Sequence, residues 1–277
     1  MRAMDLLVPL VGSSQSRWST QVAADLAGHR HRLLLMHVID QRLLQPIGSS
    51  IDDLLNSVAI TEEEQEVLSF YSDEGREVLE SAADLCAEAG VAHRRLTPIG
   101  VPHQVIVERS AQADCVVLAK QGFSTRELGE TATRVLATAR SPVLSLRAYR
   151  SVRKILAVVD DAPVCRRLLG LVGAMASPED VSVTLMMPEG LPADDVDQTT
   201  AHAETLGFAS VQQKTESDII EAGLAEATAE AVDLIALAGS AKLKTGLLRR
   251  EPAAVRVARR ATCMTLSAPL LDSRHGD

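Results

Sequence analysis

The chain has 277 residues, of which 46% are hydrophobic, 23% are charged and only 2% are aromatic. This composition is that of a globular protein and excludes wholesale disorder, and six aromatic residues are too few for a platform that stacks nucleic-acid bases. The net charge of −9 would repel a phosphate backbone, so we expect no nucleic-acid partner.

Compartment and redox state follow from what the sequence lacks. No apolar stretch approaches the roughly 18 residues of a membrane span, and the first residues do not have the layout of a signal peptide. The cysteines are widely spaced and form no CxxC pair, which predicts reduced, buried side chains at Cys86, Cys115, Cys165 and Cys263. We therefore expect a cytoplasmic protein that does not associate with membranes.

The first half of the chain alternates apolar runs with segments of helical period. Strands are predicted at 6–11, 33–39, 92–97, 115–118 and 142–146. Helices are predicted at 18–26 and 128–138, and another begins at Pro102. A long helix begins at a capping box at 61–64, and one of its faces carries Val67, Tyr71, Val78, Ala82 and Leu85. Continuously apolar strands that alternate with helices are typical of a doubly wound parallel α/β domain.

The second half repeats this plan. Strands are predicted at 155–159, 181–187, 211–214, 234–237 and 264–267, with helices around Val164, Ile220 and Ala253. DCVVLA (114–119) aligns with DLIALA (233–238), and the second copy lacks about thirty residues that the first carries within 46–79. The sequence thus predicts two tandem domains with five-stranded parallel sheets, 1–147 and 153–271, divided within the short linker 147–153.

The longer first copy contains an insertion at 46–79. Apolar residues recur at helical spacing within 46–60. We expect this stretch to form a lid-like insertion over the strand ends, where α/β domains place their ligand crevice, or a contact with a neighbour. The alternative is a mobile surface loop.

Several segments resemble the universal stress protein family of the UspA type. LLVPLVGSS (6–14) resembles its opening strand and turn, V-P-V-D-G-S, and LLLMHVID (33–40) its second strand. IGVPHQVIVERSAQADCVVLAKQG (99–122) and VLATARSPVLSL (135–146) resemble later elements, and KILAVVDDA (154–162) and AVDLIALAGS (231–240) match in the second copy. The resemblance implies a parallel α/β fold, a role in the stress response and, in many members, an ATP site at the carboxyl ends of the strands.

In ATP-binding members of that family, an Asp follows the first strand and a loop G-x2-G-x9-G-[ST] holds the phosphates. In the first copy the Asp position is Val11, only six residues separate Gly122 from Gly129, and Glu130 replaces the final Ser or Thr. Gly122 and Gly129 are then either remnants of a phosphate loop or ordinary turn and helix-start glycines.

The second copy keeps the acid as Asp160 but has Ala238, Ala241 and Glu251 at the glycine positions. Asp160, like Asp161, also suits a helix cap. If either copy binds ATP, we expect this one, with the adenine end near Asp160.

The phosphates would then lie near Gly239, Ser240 and Lys242. Lys242 belongs to a basic loop with Lys244, Arg249 and Arg250, which could hold an anion or an acidic partner or could be simply solvated.

No catalytic or metal-binding motif accompanies these features. GxSxG, GxxxxGK[ST] and GxGxxG are absent, and the closest histidine pair, His29-x-His31, is more typical of a surface than of a metal site. His37 ends a buried strand and is expected to be a satisfied core histidine. We therefore predict no catalytic residue, no metal and no enzyme activity.

The first hypothesis is a regulatory or adaptor protein of the stress-response type, with both nucleotide sites degraded, no cofactor and an unidentified protein partner. The second is an ATP- or AMP-binding protein with one working site in the second copy, and the third is an α/β nucleotide-hydrolysing enzyme. The resemblance also implies that final strands pair, so 143–146 and 264–267 could pair within one chain, and a homodimer stays open.

Overall fold

The computed structural model describes residues 2–12, 14–43, 62–119, 128–147, 151–238 and 251–268. Contacts divide the chain into two compact units, Arg2–Val117 and Leu118–Asp277, each of which is described by itself. The predicted docking of 46–60 lies outside the described residues. No helix in the described ranges is long and apolar enough to cross a membrane.

The unit Arg2–Val117 contains a parallel sheet in the order β6–β1–β2–β4. Its strands are β1 (Asp5–Leu10), β2 (Arg32–His37), β4 (Ala92–Leu96) and β6 (Cys115–Ala119), and a separate short parallel pair joins β3 (Ile39–Asp40) and β5 (Ile99–Gly100). The helices are α1 (Ser14–Ala27), α2 (Glu62–Glu88) and α3 (Pro102–Ser110). Successive residues of β1, Leu6 to Val8, are fully buried, as expected for a strand covered on both faces.

The unit Leu118–Asp277 contains six strands in the order β10–β9–β8–β11–β12–β7. These are β7 (Val143–Leu146), β8 (Lys154–Val159), β9 (Ser182–Pro188), β10 (Ser210–Glu216), β11 (Leu234–Ala238) and β12 (Met264–Ser267). The helices are α4 (Glu130–Thr138), α5 (Ala162–Met175), α6 (Ala193–Thr205), α7 (Ile219–Ala229) and α8 (Ala253–Arg260). The parallel α/β fold predicted from the sequence is confirmed, with five parallel strands in the second copy.

The sixth strand of this unit, β7, comes from the first copy. It pairs antiparallel with β12, so that Ser145 lies opposite Thr265 and Leu144 opposite Leu266. The helices that precede these two strands, α4 and α8, are also in contact. The compact units therefore divide at Val117 and Leu118 rather than within 147–153, while the repeat limits 1–147 and 153–271 stay a prediction.

The four cysteines are buried and free, as the sequence predicted. Burial raises the pKa of the Cys86 and Cys263 thiols to about 11 and that of Cys165 to about 12. These side chains are apolar core residues with little thiolate character.

Two sequence-based assignments were wrong in detail. On the predicted face of α2, Ala82 and Leu85 are buried but Val67 is 39% exposed, and Leu79 and Cys86, which were not assigned to that face, are buried as well. Helix α6 was missed altogether, although its two fully buried side chains, Thr199 and Ala203, have a spacing of four residues.

Candidate nucleotide site

The carboxyl ends of β8 and β11 form the best-defined candidate site in the unit Leu118–Asp277. The chain leaves β8 toward β9 on one side, while β11 lies on the other, so the strand order reverses between β8 and β11. A crevice at such a reversal is where open α/β sheets bind ligands. Here the backbone N–H groups of Asp160 and Asp161 both donate to the Ala238 carbonyl, at 3.1 and 3.2 Å, which fixes the turn after β8.

The two consecutive aspartates at this turn have different roles. The Asp161 carboxylate accepts a hydrogen bond from the Val164 backbone N–H at 2.9 Å and caps α5. The Asp160 side chain is exposed and has no hydrogen-bond or ion-pair partner among the described residues. The structure therefore assigns the cap to Asp161 and leaves the Asp160 carboxylate exposed beside the strand-order reversal, with no partner among the described residues.

The predicted phosphate-binding part of the second copy is described only at its two ends. Gly239, Ser240 and Lys242, like Lys244, Arg249 and Arg250, lie in the undescribed stretch 239–250. At its far end, Glu251 forms an ion pair with Arg259 at 2.6 Å, and Pro252 begins α8 with a φ of −53°. The pairing with Arg259 reduces the repulsion that the Glu251 carboxylate would exert on a nearby anion.

The residue after β1 in the unit Arg2–Val117 is Val11. Its side chain is 63% exposed, and its backbone N–H donates to Ser16 Oγ at 2.9 Å. The following Gly12 has a φ of +69°, a left-handed conformation that glycine adopts without strain. The first copy thus has an apolar side chain in solvent at the place where the family pattern has an acid.

The remaining first-copy residues of the predicted phosphate loop are described in part. Gly122 lies in the undescribed stretch 120–127. Gly129 is the N-cap of α4 with a φ of −60°, an ordinary value for any residue, and Glu130 in the first turn pairs with Arg134 at 2.8 Å. Gly129 therefore has the geometry of a helix start.

His37, at the carboxyl end of β2, differs from the satisfied core histidine expected from the sequence. Its Nδ1 atom is buried without a hydrogen-bond partner in the described part of the chain. Burial lowers its pKa, although a hydrogen bond to the Leu10 backbone and the charge of Glu74 oppose that shift. The imidazole packs so tightly against α2 that a Cβ atom added to Gly75 would lie 2.7 Å from His37 Cδ2.

No cluster of three or more histidine, cysteine, aspartate or glutamate side chains suited to a metal ion occurs within the described ranges. The geometry is that of an α/β protein whose parallel strand order reverses between β8 and β11. The universal stress protein family model matches residues 4–147, and the chain belongs to that family.

Solved structures show the same fold over nearly the whole chain. A universal stress protein from Archaeoglobus fulgidus DSM 4304 is 16% identical, with a TM-score of 0.71 over 99% of this chain and 98% of that chain. A functionally unknown protein from Pseudomonas aeruginosa PAO1 is 15% identical, with a TM-score of 0.54 over 96% of this chain and 92% of that chain. At these identities the likeness shows the fold alone.

A shorter relative, a universal stress protein family protein from Arabidopsis thaliana with AMP bound, is 18% identical. It covers 51% of this chain with a TM-score of 0.36, and the match spans 90% of its own chain. No curated protein sequence matches this chain at a significant level.

Proposed function

We propose that the chain is a non-enzymatic regulatory or adaptor protein of the stress-response type whose first copy does not bind nucleotide. The observation that carries this proposal is Val11, which exposes an apolar side chain at the end of β1. The valine side chain cannot accept a hydrogen bond from a nucleoside, and one acceptor position of Ser16 Oγ, its polar neighbour, is taken by the Val11 backbone N–H. Losing one hydrogen bond to a charged group costs about 1.5–3 kcal/mol, or roughly 10- to 150-fold in affinity.

The regulatory role rests on membership of the universal stress protein family. In this proposal the protein works without a resident cofactor and acts through a protein partner. A nucleotide-hydrolysing enzyme is the weaker alternative, because it would rest on the fold alone and one fold supports many functions.

A second candidate function, ATP or AMP binding in the second copy, is favoured by one specific observation. Asp160 is an exposed carboxylate without a partner among the described residues, and it stands at the reversal between β8 and β11. In this proposal Asp160 meets the nucleoside, and Gly239, Ser240 and Lys242 bind the phosphates.

Calorimetric titration of the full chain with ATP separates these functions. We expect no binding by the first copy and, if one site binds, its loss in Asp160→Asn. Asp161→Asn is the matched control, because asparagine caps a helix about as well as aspartate and the neighbouring charge is lost in the same way. Micromolar binding that survives Asp160→Asn but is lost in Gly129→Val would show that the first copy holds the working site.

A further inference from the structure

A charged cleft lies at the amino ends of the strands in the unit Arg2–Val117, the edge opposite to the one where doubly wound sheets bind their usual ligands. Its volume is about 650 Å³, within the range typical of small-molecule sites. The charged and titratable side chains that line it are Arg2, Asp5, His29, Arg30, His31, Arg32 and Asp114. We propose that this cleft binds a small molecule carrying two or more phosphate groups.

The charge of the cleft is opposite in sign to that of the protein. Three arginines and two aspartates leave one net positive charge when both histidines are neutral, in a chain whose net charge is −9. Within this otherwise repulsive field, the cleft attracts an anion locally.

The two aspartates hold two of the arginines in place. Asp5 accepts from Arg32 Nε at 2.9 Å and from Arg32 Nη2 at 2.6 Å, and this pairing raises the pKa of Arg32. Asp114 forms an ion pair with Arg2 through one oxygen, while its other oxygen accepts from the Asp5 backbone N–H at 2.8 Å. The acid side chains are themselves tied to the ends of β1 and β6, so the guanidinium groups are positioned before a ligand arrives.

Donors remain available after these pairings. A guanidinium has five N–H donors, of which Arg32 uses two on Asp5. Arg30 is exposed and has no hydrogen-bond or ion-pair partner among the described residues. It therefore has all five donors free for a ligand.

Two histidines, His29 and His31, also line the cleft, and their hydrogen bonds fix their neutral tautomers. The Met4 backbone N–H donates to His31 Nδ1 at 3.2 Å, so this buried ring carries its proton on Nε2 when neutral. His29 Nδ1 lies 3.1 Å from the Gly90 carbonyl and must donate to it, which fixes the other tautomer.

Phosphate groups fit these features best. Guanidinium groups match phosphate oxygens bidentately, and the five donors of Arg30 together with those that Arg32 does not use on Asp5 exceed what a single carboxylate can satisfy. Several phosphates on one molecule supply enough acceptor oxygens for the donors that Arg30 and Arg32 leave free. This inference does not depend on nucleotide binding at Asp160.

Titration of the full chain with inorganic tripolyphosphate, followed by calorimetry, tests the proposal. We expect a saturable site that Arg30→Gln weakens at least about tenfold, the loss expected for a hydrogen bond to a charged group. Arg94→Gln is the matched control: Arg94 is an exposed arginine of β4, without a partner among the described residues and outside the cleft lining. This control removes the same charge and should change the dissociation constant less than about twofold.

Three outcomes would overturn the proposal. The first is no binding at millimolar tripolyphosphate, and the second is equal weakening by Arg30→Gln and Arg94→Gln, which would indicate attraction by net charge alone. The third is tighter binding of an oligoglutamate peptide than of tripolyphosphate at the same ionic strength, which would make the cleft a docking site for an acidic protein segment. Loss of the site in Asp160→Asn would place binding at the other unit and would also contradict the proposal.

Discussion

At the scale of single residues, neighbouring side chains of the same type have different roles. The pair Asp160–Asp161 could be identified from the sequence as candidates for ligand binding and for capping. The division between them could not, because it depends on the extended conformation of Asp161, with φ −133° and ψ 107°, which turns its carboxylate toward the first turn of α5. The same limit applies to Glu251, whose charge was predictable but whose partner, Arg259, is set by geometry, whereas the partner of Glu130 is Arg134, its i+4 neighbour on α4.

His37 predicts a pH dependence of stability. Burial lowers the pKa of His37 in the folded protein below its ordinary value of 6.5, so the unfolded chain takes up the proton first as the pH falls. Its contribution to stability is therefore fully present above the folded and unfolded pKa values and is lost progressively as the pH falls through about 6.5.

Urea unfolding at pH 7.5, 6.5 and 5.5 measures this contribution. We expect the free energy of unfolding of the wild type to decrease toward pH 5.5 more than that of His37→Gln, since only the wild type carries this titrating ring. The comparison at each pH cancels the titration of the other groups. A constant difference between the two proteins over this range would contradict the assignment.

At the scale of the element, periodicity located most helices and strands but not all their faces or lengths. Strand β10 was predicted as 211–214 but runs over Ser210–Glu216, because each of its seven residues is in register with β9. Its own side chains are mostly exposed and give little apolar signal. Helix α6 escaped prediction because it has few strongly apolar side chains, and Val67, near the beginning of α2, is exposed although periodicity assigned it to the buried face. Pairing and packing across the fold override the local pattern in these cases.

Gly75 in α2 should resist replacement by alanine. Alanine favours a helix interior by about 1 kcal/mol over glycine, but the new Cβ would approach the His37 ring to 2.7 Å, and overpacking costs about 1–3 kcal/mol. We expect Gly75→Ala to lower the free energy of unfolding, as measured by urea denaturation.

Gly170 in α5 supplies the matched control for that substitution. No atom outside its own helix backbone lies within 4 Å of a Cβ added there, so Gly170→Ala should raise stability by up to about 1 kcal/mol. Equal stabilisation by both substitutions would show that α2 does not pack against His37 as described.

At the scale of the whole molecule, the sequence copies and the compact units do not coincide. The repeat was visible in the sequence because DCVVLA and DLIALA align, and it predicted a division within the linker 147–153. The structure groups α4 and β7 with the second copy, since β7 pairs with β12. A repeat can be recognised from one copy compared with the other, but the partner of a terminal strand depends on long-range pairing that no local pattern encodes.

The pairing of β7 with β12 predicts that the copies remain associated after the linker is cut. Co-expressed fragments 1–149 and 150–277 should co-purify as a one-to-one complex, as measured by light scattering after size exclusion. Leu144→Asp in the first fragment should abolish the complex, because it places a charge opposite the fully buried Leu266. If the wild-type fragments are folded but elute separately, the predicted association through β7 and β12 is wrong.

Because β7 and β12 belong to the same chain, the two copies that they join can differ in sequence. In a symmetric dimer of identical chains, every substitution occurs on both sides of the interface, so each change must complement itself. Here Val143 lies opposite Ser267 and Ser145 lies opposite Thr265, so the two paired strands already differ in sequence. One chain with two copies can change the residue after one first strand while the other copy keeps its acid, and the contrast between Val11 and Asp160 is an asymmetry that a dimer of identical chains does not allow.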